Sequence, residues 1–200
     1  MLVDLQEAEA AASVNNATPR SSIRLSCSIN CEVPHLAPAI GAFEARYPQM
    51  LFDLSASDRF VDLVEEGLDL AIRIGDLGNP NLIARKIGQM RLVTAAAPAC
   101  LERYGTSKRP QELVKHNCLT YQYASVKNHW PVLDRQRHEL KIAVKGSAHA
   151  SSGEMLATIA AQAVGIAHQP NFIVEPPFKT GRPVPILAKY QPALCHIYAV

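Results

Sequence analysis

The sequence predicts an α/β fold, and three observations lead to this prediction. Residues 50–75 alternate apolar and polar side chains at both ends, around a stretch in which apolar residues recur at helical spacing. A strand, a crossover helix and a second strand favour a parallel sheet with a right-handed connection. A strand at 23–28 and a helix at 35–47 precede this unit, and the βα pattern thins after residue 95. We therefore expect an α/β fold in two lobes.

The N-terminal third begins with elements that differ in apolar pattern. Residues 2–13 are good helix formers, but a free helix shorter than about 12–15 residues is marginal in water, so it needs a partner or a longer parent helix. Residues 14–22 indicate a linker. Ile23, Leu25 and Cys27 alternate with polar residues, which predicts the first strand. The helix at 35–47 follows a polar turn and ends before a proline.

The strand–helix–strand stretch at residues 50–75 contains residues that are typical of helix ends. Residues 50–54 form its first strand, and Asp58 can cap the helix that follows by accepting bonds from free backbone N–H groups. Gly67 stands where a helix C-terminus often needs a left-handed residue. Residues 68–74 alternate again and predict the second strand.

The remaining chain predicts shorter elements. Residues 82–87 and 91–96 are expected to form two strands separated by Gly88. Helical segments are predicted at 98–104, 111–116, 155–164 and 171–175. Further strands are predicted at 118–123, around Trp130 and Val132, at 140–144, at 165–168, at 184–187 and at 196–200. Ser151 or Ser152 can cap the helix at 155–164, with Glu154 placed for a capping box from Ser151.

The composition excludes several classes of protein. Hydrophobic residues make up 48% and charged residues 19%, as in an ordinary globular protein. A formal net charge of +2 gives no reason to expect that this chain alone binds nucleic acid. No apolar run approaches the ~20 residues that cross a bilayer, and the acidic N-terminus is not a secretory signal. The five scattered cysteines predict reduced thiols and a cytoplasmic protein.

Three polar turns each precede a predicted helix, at residues 28–31, 55–58 and 149–152. Helix N-termini present unpaired N–H groups and a partial positive charge, which suit a carboxylate or phosphate. If the three turns converge on one cleft, they would hold a small anionic molecule. The alternative is that these residues only cap helices, because N-termini strongly select Ser, Asp and Asn. Asp58 argues against an anion at its own turn.

The sequence offers little support for catalysis, a metal or a cofactor. Cys27, Cys31 and His35 are spaced by four, but the first belongs to a strand and the second to a turn, so they do not share a helix face. No Gly-x-Ser-x-Gly motif and no glycine-rich nucleotide motif is present, so we predict no enzyme, no metal and no cofactor. His168 stands out among the histidines because it ends an apolar strand, where a pocket residue would lie.

Several segments together resemble the effector-binding part of LysR-type transcriptional regulators. They are HLAPAIGAFEARYP (35–48), SDRFVDLVEEGLDLAIRIG (57–75), LIARKIGQMRLVTAAAPACLERYG (82–105), HNCLTY (116–121) and SGEMLATIAAQAVGIAHQP (152–170). The resemblance covers residues 22–200, in order. Residues 1–21 resemble the tail of the family's linker helix and its linker, and the helix-turn-helix domain that precedes this helix in the family is absent from the sequence.

The resemblance implies a two-lobed fold similar to type 2 periplasmic binding proteins, with a ligand cleft between the lobes. The first lobe would hold about 23–95 plus 195–200, and the second about 96–192. The family's ligand contacts map onto the polar turns and one strand end. They fall on Asn30, Cys31, Ser57, Asp58, Ser151, Ser152 and His168. The first turn departs from the family, since Cys31 and Glu32 stand where many relatives carry an aromatic residue and a glycine.

The function implied is that of a ligand-sensing regulatory domain. A small effector, expected to be a carboxylate, would control DNA binding or activation by a separate helix-turn-helix domain. We expect a homodimer or tetramer, contact with DNA only through that other domain, and no membrane. A solute-binding protein of a transport system is the alternative from another class, because a fold does not determine function. An enzyme is a third possibility and would need a catalytic pair hidden in the cleft.

Overall fold

The computed structural model describes most of the chain after residue 21. The described residues are 22–59, 63, 65–75, 77, 82–124, 126–134, 136–174, 176, 183–190 and 194–200. The predicted N-terminal helix, its linker and most of the predicted crossover helix at 58–67 lie outside them. The chain divides into two compact units, Met1–Ile72 and Arg73–Val200.

The first unit contains the parallel sheet that the sequence predicts. Strand β1 (Ser22–Cys27) lies between strand β2 (Leu51–Ala56) and the start of strand β3 (Leu70–Ile74). Cys27 is in register with Ala56 on one side and with Ile72 on the other. The carboxyl ends of β1 and β2 therefore lie side by side at one edge of the sheet.

Helix α1 (Ala37–Arg46) connects β1 to β2 and begins after a 3₁₀ turn, Ile29–Cys31, and a wider π-helical turn, Glu32–Leu36. A proline in its first turn is tolerated because that position has no helical hydrogen bond to lose. The Phe43 ring lies 5.9 Å from the Phe52 ring, edge to face, which packs the helix on β2. The predicted helix at 35–47 is confirmed.

The second unit is organised on one long strand, β4 (Arg85–Ala96). The predicted break at Gly88 is therefore wrong. Glycine is tolerated inside this strand because the Ile197 side chain of the neighbouring strand covers it: a Cβ at this position would lie 3.5 Å from the Ile197 Cδ1 atom. Three strands pair with β4 in antiparallel register; in the numbering used below they are β9 (Ile166–Pro170), β10 (Val184–Pro185) and β11 (Leu194–Ala199).

Short elements complete the second unit. Its helices are α2 (Pro98–Tyr104), α3 (Gly153–Ala161) and α4 (Asn171–Val174), with 3₁₀ turns at Pro110–Lys115 and Ala188–Tyr190. Strands β5 (Thr120–Tyr121) and β8 (His149–Ala150) pair in parallel, and β6 (His129–Leu133) pairs with β7 (Glu139–Ala143) as a hairpin. The strand predicted at 118–123 is thus shorter than expected, because Cys118 forms only an isolated bridge with Ile166 and the continuous pairing is limited to Thr120 and Tyr121. No described helix is long and apolar enough to cross a membrane.

The core of the second unit is built from small and branched side chains. Leu156 and Ala160 on α3, Ala95 on β4 and Cys118 before β5 have no measurable exposure. Two glycines permit the backbone to approach itself here: a Cβ on Gly146 would overlap the carbonyl oxygen of Cys118, and one on Gly165 would overlap that of Asn117. This close packing places β9 beside residues 117–118, where the Ile166 N–H donates to the Asn117 carbonyl at 2.8 Å.

Candidate functional site

The turns after β1 and β2 are joined into one corner of the first unit. The Ser57 N–H donates to the Cys27 carbonyl at 2.9 Å, and the Ile29 N–H donates to the Asp58 Oδ1 atom at 3.1 Å. These two bonds hold the turns against each other. We call residues 28–31 and 57–58 the strand-end corner. The structure thus brings together four of the predicted site residues, Asn30, Cys31, Ser57 and Asp58.

Among the described residues, Asp58 joins the two turns. Its Oδ1 atom accepts from Ile29, which belongs to the neighbouring turn. The helix that it was expected to cap lies outside the described residues. The Ser57 Oγ atom accepts from the Arg59 N–H at 3.2 Å, a local turn that serine commonly forms. Its hydroxyl proton stays available to donate to another group.

Two acceptor atoms in the strand-end corner are buried without a hydrogen-bond partner among the described residues, the Asn30 Oδ1 and the Asp58 Oδ2. Buried polar atoms are nearly always paired, because an unpaired one loses its bonds to water without replacement. When its carboxyl group is ionised, the Asp58 oxygen can accept hydrogen bonds but cannot donate one. The corner is therefore suited to a molecule that brings hydrogen-bond donors.

Cys31 adds a neutral thiol to the corner. Its side chain is buried, and burial raises the pKa of the thiol to about 11, with smaller contributions from Cys27 and Asp58. The thiol is therefore protonated at neutral pH and is a poor nucleophile, since the thiolate is the reactive form. Among the residues that the structure describes, no three His, Cys, Asp or Glu side chains gather as a metal site.

Ser151 and Ser152 lie at the start of α3 in the second unit. The Ser152 Oγ atom accepts from the Met155 N–H at 3.2 Å, so Ser152 is the N-cap of this helix. The capping box from Ser151 is not the arrangement found. The Ser151 side chain is exposed.

His168 is buried on β9, directly opposite Thr94 on β4. The His168 Nδ1 atom and the Thr94 Oγ1 atom are 2.9 Å apart, and the imidazole stacks on the Trp130 ring with centroids 5.0 Å apart. Burial lowers the pKa of His168 to about 4, so the ring is neutral at pH 7. Its Nε2 atom is buried without a partner among the described residues. Sequence reasoning missed Thr94 and Trp130, because only the strand pairing brings them to His168.

A family model describes this chain. The model of the LysR substrate binding domain matches residues 16–200. The chain belongs to this family. The resemblance seen in the sequence is thereby confirmed.

Three curated relatives of this LysR-family domain are transcriptional regulators. An uncharacterised HTH-type regulator of Haemophilus influenzae is 30% identical over the whole chain, which covers 69% of that protein. CrgA of Neisseria meningitidis serogroup C is 32% identical over 86% of this chain and 56% of its own length. TtdR of Escherichia coli K12, described as a transcriptional activator, is 30% identical over 91% of this chain and 58% of its own length. The chain thus spans little more than half of two of these proteins. The relatives are regulators and not transport proteins, which removes the support for the solute-binding alternative.

Solved structures agree with this assignment. The regulatory domain of Neisseria meningitidis CrgA aligns with a TM-score of 0.75 and 28% identity, covering 90% of this chain and 88% of that one. Full-length AphB of Vibrio cholerae aligns with a TM-score of 0.81 and 23% identity, covering 99% of this chain and 67% of that one, and supports the fold alone. The predicted α/β fold of the two-lobed periplasmic-binding-protein class is confirmed. The lobe boundaries and the set of ligand-binding residues stay predictions.

Proposed function

We propose that this domain senses a small organic acid for a LysR-type transcriptional regulator, and that the effector binds at the strand-end corner. Family membership supports the sensing role, and the names of the relatives support regulation through a helix-turn-helix domain. On this proposal the protein is a cytoplasmic regulator and not an enzyme, in line with the regulators among its relatives. The protonated Cys31 thiol fits this proposal because it is a poor nucleophile. DNA is bound through the helix-turn-helix domain.

The unpaired acceptors of Asn30 and Asp58 carry this proposal and sharpen the effector class. A plain carboxylate would be repelled by Asp58 and would leave both acceptors without donors. An effector with a hydroxyl or ammonium group beside its carboxylate satisfies both needs. The donor group bonds to Asp58 and Asn30, and the carboxylate accepts from the Ser57 hydroxyl. We therefore propose a hydroxy acid or an amino acid as effector. Contacts of this effector with Ser151, Ser152 and His168 stay predictions.

Binding can regulate only if two arrangements of the protein differ in their affinity for the effector. A homodimer or tetramer supplies such arrangements. Strand β2 supports self-association, because it pairs only with β1 among the described strands and its Leu51 and Leu54 are 70% and 48% exposed. Leu51→Glu would place a charge on this exposed strand and should shift the assembly toward smaller species in sedimentation or light scattering. An unchanged mass would show that β2 is not part of the interface.

A thermal-shift screen tests the effector class. The panel contains hydroxy acids and amino acids, each beside the matching acid that lacks the donor group. A ligand at a hundred times its Kd adds about 2.7 kcal/mol to the free energy of unfolding. We expect stabilisation by members that carry the donor group and not by their matched partners.

Asp58→Asn isolates the proposed contact. Asparagine keeps an oxygen for the Ile29 N–H but replaces the free acceptor with an NH₂ donor, so the fold should be retained while ligand stabilisation is lost. Asp53→Asn is the matched control, because Asp53 lies exposed on β2 and bonds only to Arg24 at 3.4 Å among the described residues. Ser57→Ala should reduce the stabilisation more weakly. Full ligand stabilisation in Asp58→Asn would exclude the strand-end corner as the effector site.

A further inference from the structure

A cavity lies in the second unit, and none of its lining residues is a predicted effector contact. Its volume is about 460 Å³, and it is formed where the chain before the 3₁₀ turn Pro110–Lys115 meets the turn Ala188–Tyr190. We call it the basic pocket. Its lining residues are Ser107, Lys108, Arg109, Leu187, Ala188, Lys189 and Tyr190.

The lining is strongly cationic. Lys108, Arg109 and Lys189 each contribute a positive charge, and no lining residue is acidic. Within the described part of the chain, none of the three makes an ion pair within 4 Å. A carboxylate lies beside the pocket, since Glu112 accepts from the backbone N–H groups of Lys108 at 2.7 Å and Arg109 at 3.3 Å. These two backbone hydrogen bonds are the main cause of the lowered pKa of Glu112, and the positive charge of Arg109 lowers it further.

Allowing for the ionised Glu112, the pocket has two net positive charges from its side chains. A phosphate monoester carries about −1.5 to −2 charges at pH 7, so its charge matches this balance. A monocarboxylate would neutralise only one of the two charges. The balance therefore favours a phosphate group over the organic acids expected at the strand-end corner.

Ser107 supplies a second, independent indication of a ligand. Its side chain is only 3% exposed, and its Oγ atom has no hydrogen-bond partner among the described residues. Buried hydroxyls are normally paired. A serine hydroxyl can change between staggered rotamers and donate to an oxygen placed in the pocket. An anion there would provide the acceptor that this hydroxyl lacks.

The opposite wall of the pocket is held in a defined shape. Leu187 has a φ of 56°, a left-handed conformation that is unusual for a branched residue, and its side chain is buried. The Tyr190 N–H donates to the Leu187 carbonyl at 2.7 Å and closes the turn. Lys189 is thereby placed on the wall facing the loop that contains Ser107.

We propose that the basic pocket binds the phosphate group of a small molecule, with the Ser107 hydroxyl donating to one oxygen and the three cations balancing the charge. The site is separate from the strand-end corner and does not depend on the function proposed there. A small ligand fits better than the DNA backbone, because the Ser107 hydroxyl that would donate is buried within a concave site.

Isothermal titration of the whole chain with inorganic phosphate and with glycerol phosphate, in low-salt chloride buffer, tests the proposal. We expect saturable binding with one site per chain. Lys189→Gln and Ser107→Ala should each weaken it by about tenfold, as for the loss of a hydrogen bond to a charged group. The control Lys141→Gln removes the same charge from exposed β7 and should change the affinity by less than about twofold.

Ser107→Ala is the decisive variant because it leaves every charge in place. Circular dichroism verifies that this variant folds. If it does not fold, the comparison of Lys189→Gln with Lys141→Gln tests the proposal instead, because both lysines are exposed and their replacement should leave the fold intact. Equal weakening by the two lysine variants would show diffuse surface attraction and overturn the proposal. So would the absence of saturable binding, or unchanged affinity in a folded Ser107→Ala. Tighter binding of a DNA duplex that is lost in Lys189→Gln would assign the pocket to nucleic acid instead.

Discussion

The strand-end corner in the first unit and strand β9 in the second both bury polar side chains, but they satisfy them differently. In the corner, the Asp58 carboxylate accepts from the Ile29 N–H and the Ser57 N–H donates to the Cys27 carbonyl, so the turns are held together while two side-chain acceptors stay unpaired. On β9, the His168 Nδ1 atom is paired with the Thr94 hydroxyl and the ring stacks on the Trp130 indole, and only its Nε2 atom is left without a partner among the described residues. Hydrogen-bonded and stacked groups support a fold, whereas positioned but unpaired ones are available to a ligand.

The two units also differ in apolar packing, and the second unit is again the more completely packed of the two. The continuous cluster of buried apolar residues lies in the second unit, around Leu156 and Ile166. In the described part of the first unit, helix α1 has no fully buried residue and Leu51 is largely exposed. We infer that the second unit contributes most of the measured stability and that the first responds more readily to a ligand.

Truncating one leucine in each unit should show the largest contrast. Leu156→Ala removes a side chain with no exposure and should lower the free energy of unfolding by about 2–5 kcal/mol. Leu51→Ala, at 70% exposure, should change it by less than about 0.5 kcal/mol. Urea denaturation measures both. Similar losses would mean that the first unit is packed as tightly as the second.

Protonation of His168 should have the next largest effect. Burial lowers its pKa from 6.5 to about 4, so the folded state favours the neutral ring. The resulting stability is present above pH 6.5 and is lost as the pH falls through about 4, with a maximum near 3 kcal/mol. His168→Gln should abolish this part of the pH dependence of the free energy of unfolding. The control His138→Gln alters an exposed histidine beside Asp134 and should retain it; identical pH profiles for wild type and His168→Gln would contradict the burial argument.

Adding a methyl group at one glycine in each unit should give effects of opposite sign. Gly146→Ala sets a Cβ against the Cys118 carbonyl oxygen and should lower the free energy of unfolding by about 1–3 kcal/mol. Gly41→Ala lies in α1 with nothing within 4 Å, and should raise it by about 0.5–1 kcal/mol through helix propensity. Thermal unfolding followed by circular dichroism measures both. A destabilising Gly41→Ala would show that α1 is more closely packed than its exposure indicates.

Much of the secondary structure could be predicted from the sequence because periodicity is local. The alternation in β1 and the four-residue spacing in α1 place both elements within a few residues of their observed bounds. Gly88 misled the prediction for β4, because a glycine breaks a free chain but is tolerated in a strand whose neighbour covers it. The short strand β8 was missed because two residues have no readable period.

The candidate site could be predicted only as a set of positions. Polar residues after β1 and β2 were recognisable, since parallel strands bring their carboxyl ends to one edge. The bond between Asp58 and Ile29 was not, because it joins turns that are 29 residues apart. Ser152, a cap that depends on its own helix, was within reach of local rules.

By itself, the sequence determined the α/β class, the order of most strands and helices, and the family, since these depend on spacing and on short motifs. Only the tertiary structure decided which polar atoms are left without partners. It paired His168 with Thr94, left Asp58 and Asn30 with free acceptors, and gathered Lys189 with Ser107 around one pocket. The physical reason is that burial and hydrogen bonding depend on contacts between residues far apart in the chain, which no local pattern encodes.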